Sequence, residues 1–238
     1  EGFSTVTYKG NGGSFNYIGG VGFQPDFVWL KPRNLADHHR LNDSVRGVNK
    51  TLSSNQTNAE QTSSNNYLGS FDSDGFTIDN ADAGWNSASY NYVAWNWDMG
   101  GSNASNSNGT ITSTVRANPT YGQSIVSYTG NGTAGATIGH GLSSAPEMVV
   151  VARRESGGWI VGHESNGWGY RMNFESTAAK SSASWAWNDT APTSSVFSVG
   201  SDNDLSASGG TYIAYCFHSV TGYSSFGTYT GNGNASGT

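Results

Sequence analysis

The most restrictive feature of this sequence is that it repeats itself at a spacing of 120 or 121 residues. Tyr8-Lys9-Gly10-Asn11-Gly12 returns as Tyr128-Thr129-Gly130-Asn131-Gly132, 120 positions later. Pro25 of "QPDFVWLK" matches Pro146 of "APEMVVVA" at 121, as do Asp43-Ser44 with Glu164-Ser165 and Phe76 with Phe197. "YVAWNW" (Tyr92 to Trp97) matches "YIAYCF" (Tyr212 to Phe217) at 120. Landmarks that hold one spacing from Tyr8 to Trp97 imply two copies of one unit.

The aromatic-turn phrase occurs a third time as Tyr229-Thr230-Gly231-Asn232-Gly233, but only 101 residues after Tyr128. The 19-residue shortfall is carried by "GGSNASNSNGTITSTVRANPT", which follows the first copy only. Its first half, Gly101 to Gly109, has a flexible-linker composition. Its second half, "TITSTVRA", alternates like a strand that pairs with the second copy or bridges the two. The expected domains are 1–105, 106–222 (with 106–121 as linker or strand), and 223–238 as the opening of a third repeat or a closing strand. Glu1 is not Met, so the chain is expected to be processed, excised or numbered from within something longer.

Each copy reads as all-β. Charged residues make up 12% of the chain, about half the usual share, yet eight Trp, twelve Tyr and ten Phe supply large apolar groups for a core. "STVTY", "DFVWL", "YNYVAWNW", "QSIVSY", "EMVVVAR", "WIVGH", "VFSVG" and "TYIAYCF" are β-branched or aromatic runs bounded by Gly, Pro, Asn or Ser. No segment has sustained helical periodicity. The expectation is two tandem antiparallel β-sandwich domains. In "YNYVAWNW" the face of Val93, Trp95 and Trp97 is expected to line the sandwich core, with Tyr92, Ala94 and Asn96 on the other side; Ile213, Tyr215 and Phe217 take the core role in the second copy.

Charge and chemistry exclude several classes. A net charge of −6 with only Arg153-Arg154 as a local basic pair disfavours nucleic-acid binding. One cysteine, Cys216, allows no internal disulfide, and its apolar strand makes it an inert buried thiol. No apolar run approaches the ~18 residues of a membrane span, and no signal peptide opens the chain. Adjacent His38 and His39 point to opposite faces of a strand and are replaced by Trp159-Ile160 in the second copy, which opposes a metal site. Asp72, Asp74, Asp79, Asp82, Asp202 and Asp204 suit turns better than a calcium loop, which needs a terminal Glu. His140 is matched with Val21 by the glycines on either side of each, so packing is favoured over catalysis. No nucleophile elbow or paired-carboxylate motif occurs. No catalytic residue, metal or cofactor is expected.

Exposed aromatics can stack on sugar rings. Trp159, Trp168, Tyr170, Trp185 and Trp187 are the candidate ligand-binding residues, with "SWAWND" placing Trp185 and Trp187 on one face at strand spacing. The competing reading is that they are core, as tryptophan is on average.

Longer phrases carry a resemblance. "RLNDSVRGVNKTLSSN", "SFDSDGFTI", "NYVAWNW", "GTITSTVRANPT", "SIVSYTGNGTAGATIGHGLSSAPEMVVVARR" and "WNDTAPTSSVFSVGSDNDLSASGGTYIAYCF" resemble repeat domains in structural proteins of marine tailed bacteriophages. The resemblance covers nearly the whole chain. It implies a concanavalin-like jelly roll, a tail-fibre or other virion appendage role, and no catalytic residues. It further implies a virion or extracellular setting, self-association (a trimer is expected of fibres), contact with other virion proteins, and attachment to host surface polysaccharide. Two alternatives are a capsid decoration or filament subunit with an assembly role only, and a carbohydrate-binding module of a secreted bacterial protein.

Overall fold

The computed structural model describes residues 1–63 and 67–236. The first half contains β1 (Phe3–Lys9), β2 (Asn16–Gly19), β3 (Phe27–Pro32), β4 (Arg40–Asp43), β5 (Lys50–Thr51), β6 (Gln61–Thr62), β7 (Leu68–Asp72), β8 (Gly75–Ile78) and β9 (Asn91–Trp97). The second contains β10 (Ala104–Asn106), β11 (Ser113–Asn118), β12 (Gln123–Thr129), β13 (Ala136–Gly139), β14 (Met148–Arg153), β15 (Trp159–His163), β16 (Tyr170–Asn173), β17 (Ser181–Ser182), β18 (Val196–Val199) and β19 (Thr211–Phe217). Single-turn helices α1 (Ser184–Trp187) and α2 (Asn203–Ser206) interrupt the second half. The fold is all-β, and its strand ladders are antiparallel.

The sequence repeat is a repeat of sheet order. The large sheet of the first half runs β1-β9-β3-β4. The second half has β12-β19-β14-β15 in the same order, extended by β11 and β10 on one side and by β16 and β17 on the other. Registers agree as well: Tyr8 pairs with Tyr92, and Tyr128 with Tyr212. The small sheets, β2-β8-β7 and β13-β18, place Ile18 opposite Phe76 and Ile138 opposite Phe197.

The Tyr-x-Gly-Asn-Gly phrase is a strand end with its turn. The Tyr8 ring stacks on Tyr92 at 4.9 Å, and Tyr128 on Tyr212 at 5.1 Å. Their hydroxyls donate to the Trp85 carbonyl at 2.7 Å and the Leu205 carbonyl at 2.8 Å. Gly12 and Gly132 follow at φ 72° and 71°, where a side chain would be strained. The third copy behaves differently. Tyr229 is 94% exposed and no strand forms over residues 225–236, so the closing-strand expectation for 223–238 is not met. The place beside β19 that the Tyr128 strand takes is already filled by β12, with β14 on the other side, and residues 225–236 add to neither edge of the sheet, β10 or β17.

Two further expectations are corrected. The strand β10 runs across the boundary placed at 105 and pairs with β11, so the supposed linker Gly101–Gly109 carries a strand of the second half. The faces of β9 and β19 are reversed. Tyr92 and Ala94 line the core shared by the two sheets of the first half, and Tyr212, Ala214 and Cys216 do so in the second. The large faces instead meet each other: Phe27, Leu41 and Met99, with Trp97 against them, pack on Ile125, Val150, Trp159, Ile213, Tyr215 and Phe217 in a third core between the two large sheets. Both faces of β19 are buried and the second face of β9 is half-buried, so the larger face alone does not identify a strand's own core.

Candidate functional site

Three aromatic side chains at the ends of neighbouring strands begin the site. Phe3 at the start of β1 and Phe27 at the start of β3 both sit opposite Trp97 at the end of β9. Gln123 and Met148 flank Phe217 in the same way in the second half. Because the large sheets face each other, these ends converge. Two connecting segments complete the enclosure. Tyr121 lies in the turn before β12 with its ring against Gly2, where a Cβ atom would come within 2.3 Å of it. Residues 219–226 fold back through a Val220–Ser224 bridge and a Phe226 N–H to Ser219 Oγ bond of 3.0 Å. They bring Tyr223 to 4.8 Å from Tyr121 and Phe226 to 5.6 Å from Phe217.

The result is an open cleft of about 430 Å³ lined by Phe3, Trp97, Tyr121, Phe217, Tyr223 and Phe226, with Gln123 and Ser224 as the polar members. Phe3 presents 40% of its surface to solvent and tilts against Trp97 at 5.0 Å. Gln123 is fixed at its base: its Nε2 donates to the Gly2 carbonyl at 2.8 Å and the Asp98 carbonyl at 2.6 Å. Its Oε1 accepts from the Tyr223 hydroxyl at 3.0 Å, and burial pushes that phenol up to about 12, keeping it neutral. Among the described residues, no Asp, Glu, Lys, Arg or His lines the cleft. Flat apolar rings around a held amide suit an uncharged ligand with apolar faces and hydroxyl edges. A smaller apolar hollow of about 140 Å³ adjoins it and shares Trp97, Phe217 and Phe226.

Below the cleft the halves are tied by buried ions. Arg46 Nε donates to Asp43 Oδ2 at 2.6 Å, Nη1 to Glu60 Oε2 at 3.1 Å, and Nη2 to the Leu41 carbonyl at 2.9 Å and Tyr215 Oη at 3.3 Å. Tyr215 Oη donates to Asp43 Oδ2 at 2.8 Å, and Arg154 Nη2 to Glu60 Oε1 at 2.8 Å. Tyr215 and Arg154 belong to the second half, so the network crosses the seam twice. Burial works against the Arg46 charge, but Asp43, Tyr215 and Glu60 more than offset it and hold its pKa above the ordinary value.

The family comparison adds one fact. A single family model, described as a domain of unknown function, DUF7483, matches residues 1–238. The chain belongs to that family. No curated protein and no solved structure matches it.

The five aromatic residues expected to bind ligand are dispersed in the DUF7483 fold. Trp159 is in the core between the large sheets, and Trp168 and Trp187 are in the core of the second half. Trp185 and Tyr170 are 44% and 41% exposed. The expected shared face of Trp185 and Trp187 is absent because "SWAW" forms the helical turn α1, not a strand; residues two apart on a helix diverge. Trp187 turns inward against Trp168 and fits over Gly162, where a Cβ would lie 2.5 Å from Trp168 and 2.7 Å from Trp187. Outside, Arg171 covers the Trp185 ring at 4.4 Å and Lys180 the Tyr170 ring at 4.7 Å.

The other polar candidates in the DUF7483 chain are engaged locally. His140 Nδ1 accepts from the Leu142 N–H at 3.1 Å and its Nε2 lies 3.1 Å from the Thr193 carbonyl. Burial lowers its pKa. His39 Nδ1 accepts from Trp29 Nε1 at 2.8 Å, while His38 meets Asn55 and Gln56. Asp72 accepts from Ser70 and Thr77, Asp74 from the Gly20 and Gly22 amides, and Asp82 from the Gly84 amide. Among the described residues no three His, Cys, Asp or Glu side chains come together. Asp26 and Asp98 do share a hollow of about 500 Å³ with Arg116. Asp26 Oδ2 accepts from the Met99 amide at 2.9 Å and its Oδ1 lies 2.9 Å from Arg116 Nε, while Arg116 also holds the Gly100 and Gly101 carbonyls. These groups tie the inter-repeat connection down. Burial raises the Asp26 carboxyl to about 6, outweighing the pull of Arg116.

Proposed function

We propose that this chain is a non-enzymatic module of a bacteriophage virion appendage of the tail-fibre type, and that it contributes to attachment by binding host surface saccharide in the aromatic cleft. The observation that carries the attachment reading is the cleft itself: six aromatic rings and a fixed glutamine, without a charged side chain, in an opening of about 430 Å³. That volume falls within the range of small-molecule sites, and its few placed polar groups are what orient a ligand against apolar walls. The virion setting rests on the resemblance of the long sequence phrases, and in it each half is a jelly-roll domain of concanavalin-like connectivity. A core with a single buried cysteine fits a particle that must persist outside cells without disulfides.

The test is binding to an array of bacterial surface polysaccharides, followed by titration of any hit against Phe3→Ala, Tyr223→Ala and Trp185→Ala. The cleft substitutions are expected to weaken binding by about tenfold or more, as truncated aromatic anchors do, and Trp185→Ala to leave it unchanged. Loss with Trp185→Ala but not with the cleft variants overturns the assignment of the site. Absence of any binding removes attachment and leaves an assembly role.

A further inference from the structure

The repeat provides an internal control for β1. In the second half, the strand equivalent to it, β12, is covered: β11 pairs along it with Ser113 opposite Tyr128, Val115 opposite Val126 and Asn118 opposite Gln123. Ile111 and Val115 from that covering segment enter the core. Val126 and Tyr128 are consequently 0% and 3% exposed. In the first half, β1 stands at the sheet edge, and among the described residues its strand pairing is to β9 alone. Val6 and Tyr8, at the positions of Val126 and Tyr128, are only half-buried, although they pack on the same kind of core. Counting back 120 positions from Ser113–Asn118 falls before Glu1, so the position of the cover lies outside residues 1–238.

Among the described residues, this edge has little of the usual protection. Exposed edges are commonly blunted by shortness, proline, bulges or charges along the strand. The seven residues of β1 read Phe-Ser-Thr-Val-Thr-Tyr-Lys, with its one charge at the last position. The arrangement inside the chain also shows where a cover comes from: the segment trailing one repeat, after β9, pairs with the first strand of the next repeat.

We propose that the free edge of β1 is a strand-acceptor site whose occupant is the trailing segment of another repeat: an extended strand of the Ser113–Asn118 type, with β-branched or small residues at alternate positions. The occupant adds backbone hydrogen bonds along Phe3–Lys9, and an apolar residue in the place of Val115 closes over Val6 and Tyr8. Its side chains need little charge, since the exposed residues on β1 are Phe3, Thr5, Thr7 and, at the last position only, Lys9. This site lies on the sheet edge and does not depend on saccharide binding in the cleft.

The test fuses residues 109–122 of this chain, through a flexible linker, ahead of residue 1. Amide exchange and thermal unfolding are compared with the unfused chain and with a fusion carrying Val115→Pro and Ala117→Pro in the added segment. The expected results are about tenfold or greater slowing of exchange at the outward amides of β1 and a midpoint raised by at least about 2–4 °C, the shift a modest gain gives a chain of this size. The proline fusion should show neither. A free peptide of residues 109–120, titrated at high concentration, should slow the same amides. Absence of protection in both formats overturns the proposal. So does concentration-dependent protection in the unfused chain that Thr7→Pro abolishes, which would assign the edge to β1 of a second copy.

Discussion

At the scale of single residues, the buried polar groups decide what is fragile. Arg46 and Asp43 have fully buried side chains and hold each other at 2.6 Å. Removing one partner leaves the other charge unpaired in the interior, which typically destabilises by about 3–5 kcal/mol. Arg46→Met is therefore expected to lower stability by roughly 3 kcal/mol or more in urea unfolding, whereas half-buried Arg153, paired at 3.3 Å with the exposed Glu155, should tolerate Met with little change. Titration separates two further residues. Burial lowers the folded pKa of His140, so stability holds above the ordinary value of about 6.5 and declines as pH falls through it, when the unfolded chain takes up the proton more readily. Asp26 has the opposite sign. Its folded pKa is raised from 3.8 to about 6, so the stability associated with it is present below the unfolded value and is lost as pH rises toward 6. Urea midpoints measured from pH 4 to 7 should show the declining limb of Asp26 vanish in Asp26→Asn and the rising limb of His140 vanish in His140→Gln.

Among elements, glycine contacts and strand faces explain what could and could not be read ahead of the structure. Gly162 in β15 is where Trp168 and Trp187 close down, so Gly162→Ala overpacks the second core; a loss of about 1–3 kcal/mol is expected, measured by thermal or urea unfolding of a folded variant. Gly209, whose Cβ position is open, sits at φ 77° and tests backbone strain without crowding. The strands, the repeat and the all-β class were readable because alternation and a fixed 120-residue spacing are local or self-referential signals. The face assignment of β9 and β19 was not, since Trp97 and Phe217 are buried by another sheet and not by their own sandwich. The cleft escaped notice for a related reason. Tyr121, Tyr223 and Phe226 lie in turn segments outside the matched strands, and Phe3 corresponds to Gln123 in the other copy. Aromatics in Gly- and Asn-rich connections that break a repeat were the available signal. Trp185 and Trp187 misled because an alternating tetrapeptide closed into one helical turn.

The whole molecule is two copies of one strand order joined through their large sheets. Phe27 stacks on Tyr215 at 4.3 Å across that seam, beside the ion network that crosses it twice. The family model spans both halves. Exposing the seam would leave Ile213, Tyr215 and Phe217 unprotected on one side and Phe27 and Leu41 on the other, so either half by itself is expected to aggregate or to bind apolar dye strongly. The cleft has walls from both halves, which makes an intact seam a condition of the proposed binding. The measurement that tests this account most directly is differential scanning calorimetry of the whole chain. A seam of this kind predicts one transition with equal calorimetric and van't Hoff enthalpies, shifted as a single peak by Arg46→Met. Two resolved transitions, only one of which moves with that substitution, would contradict it.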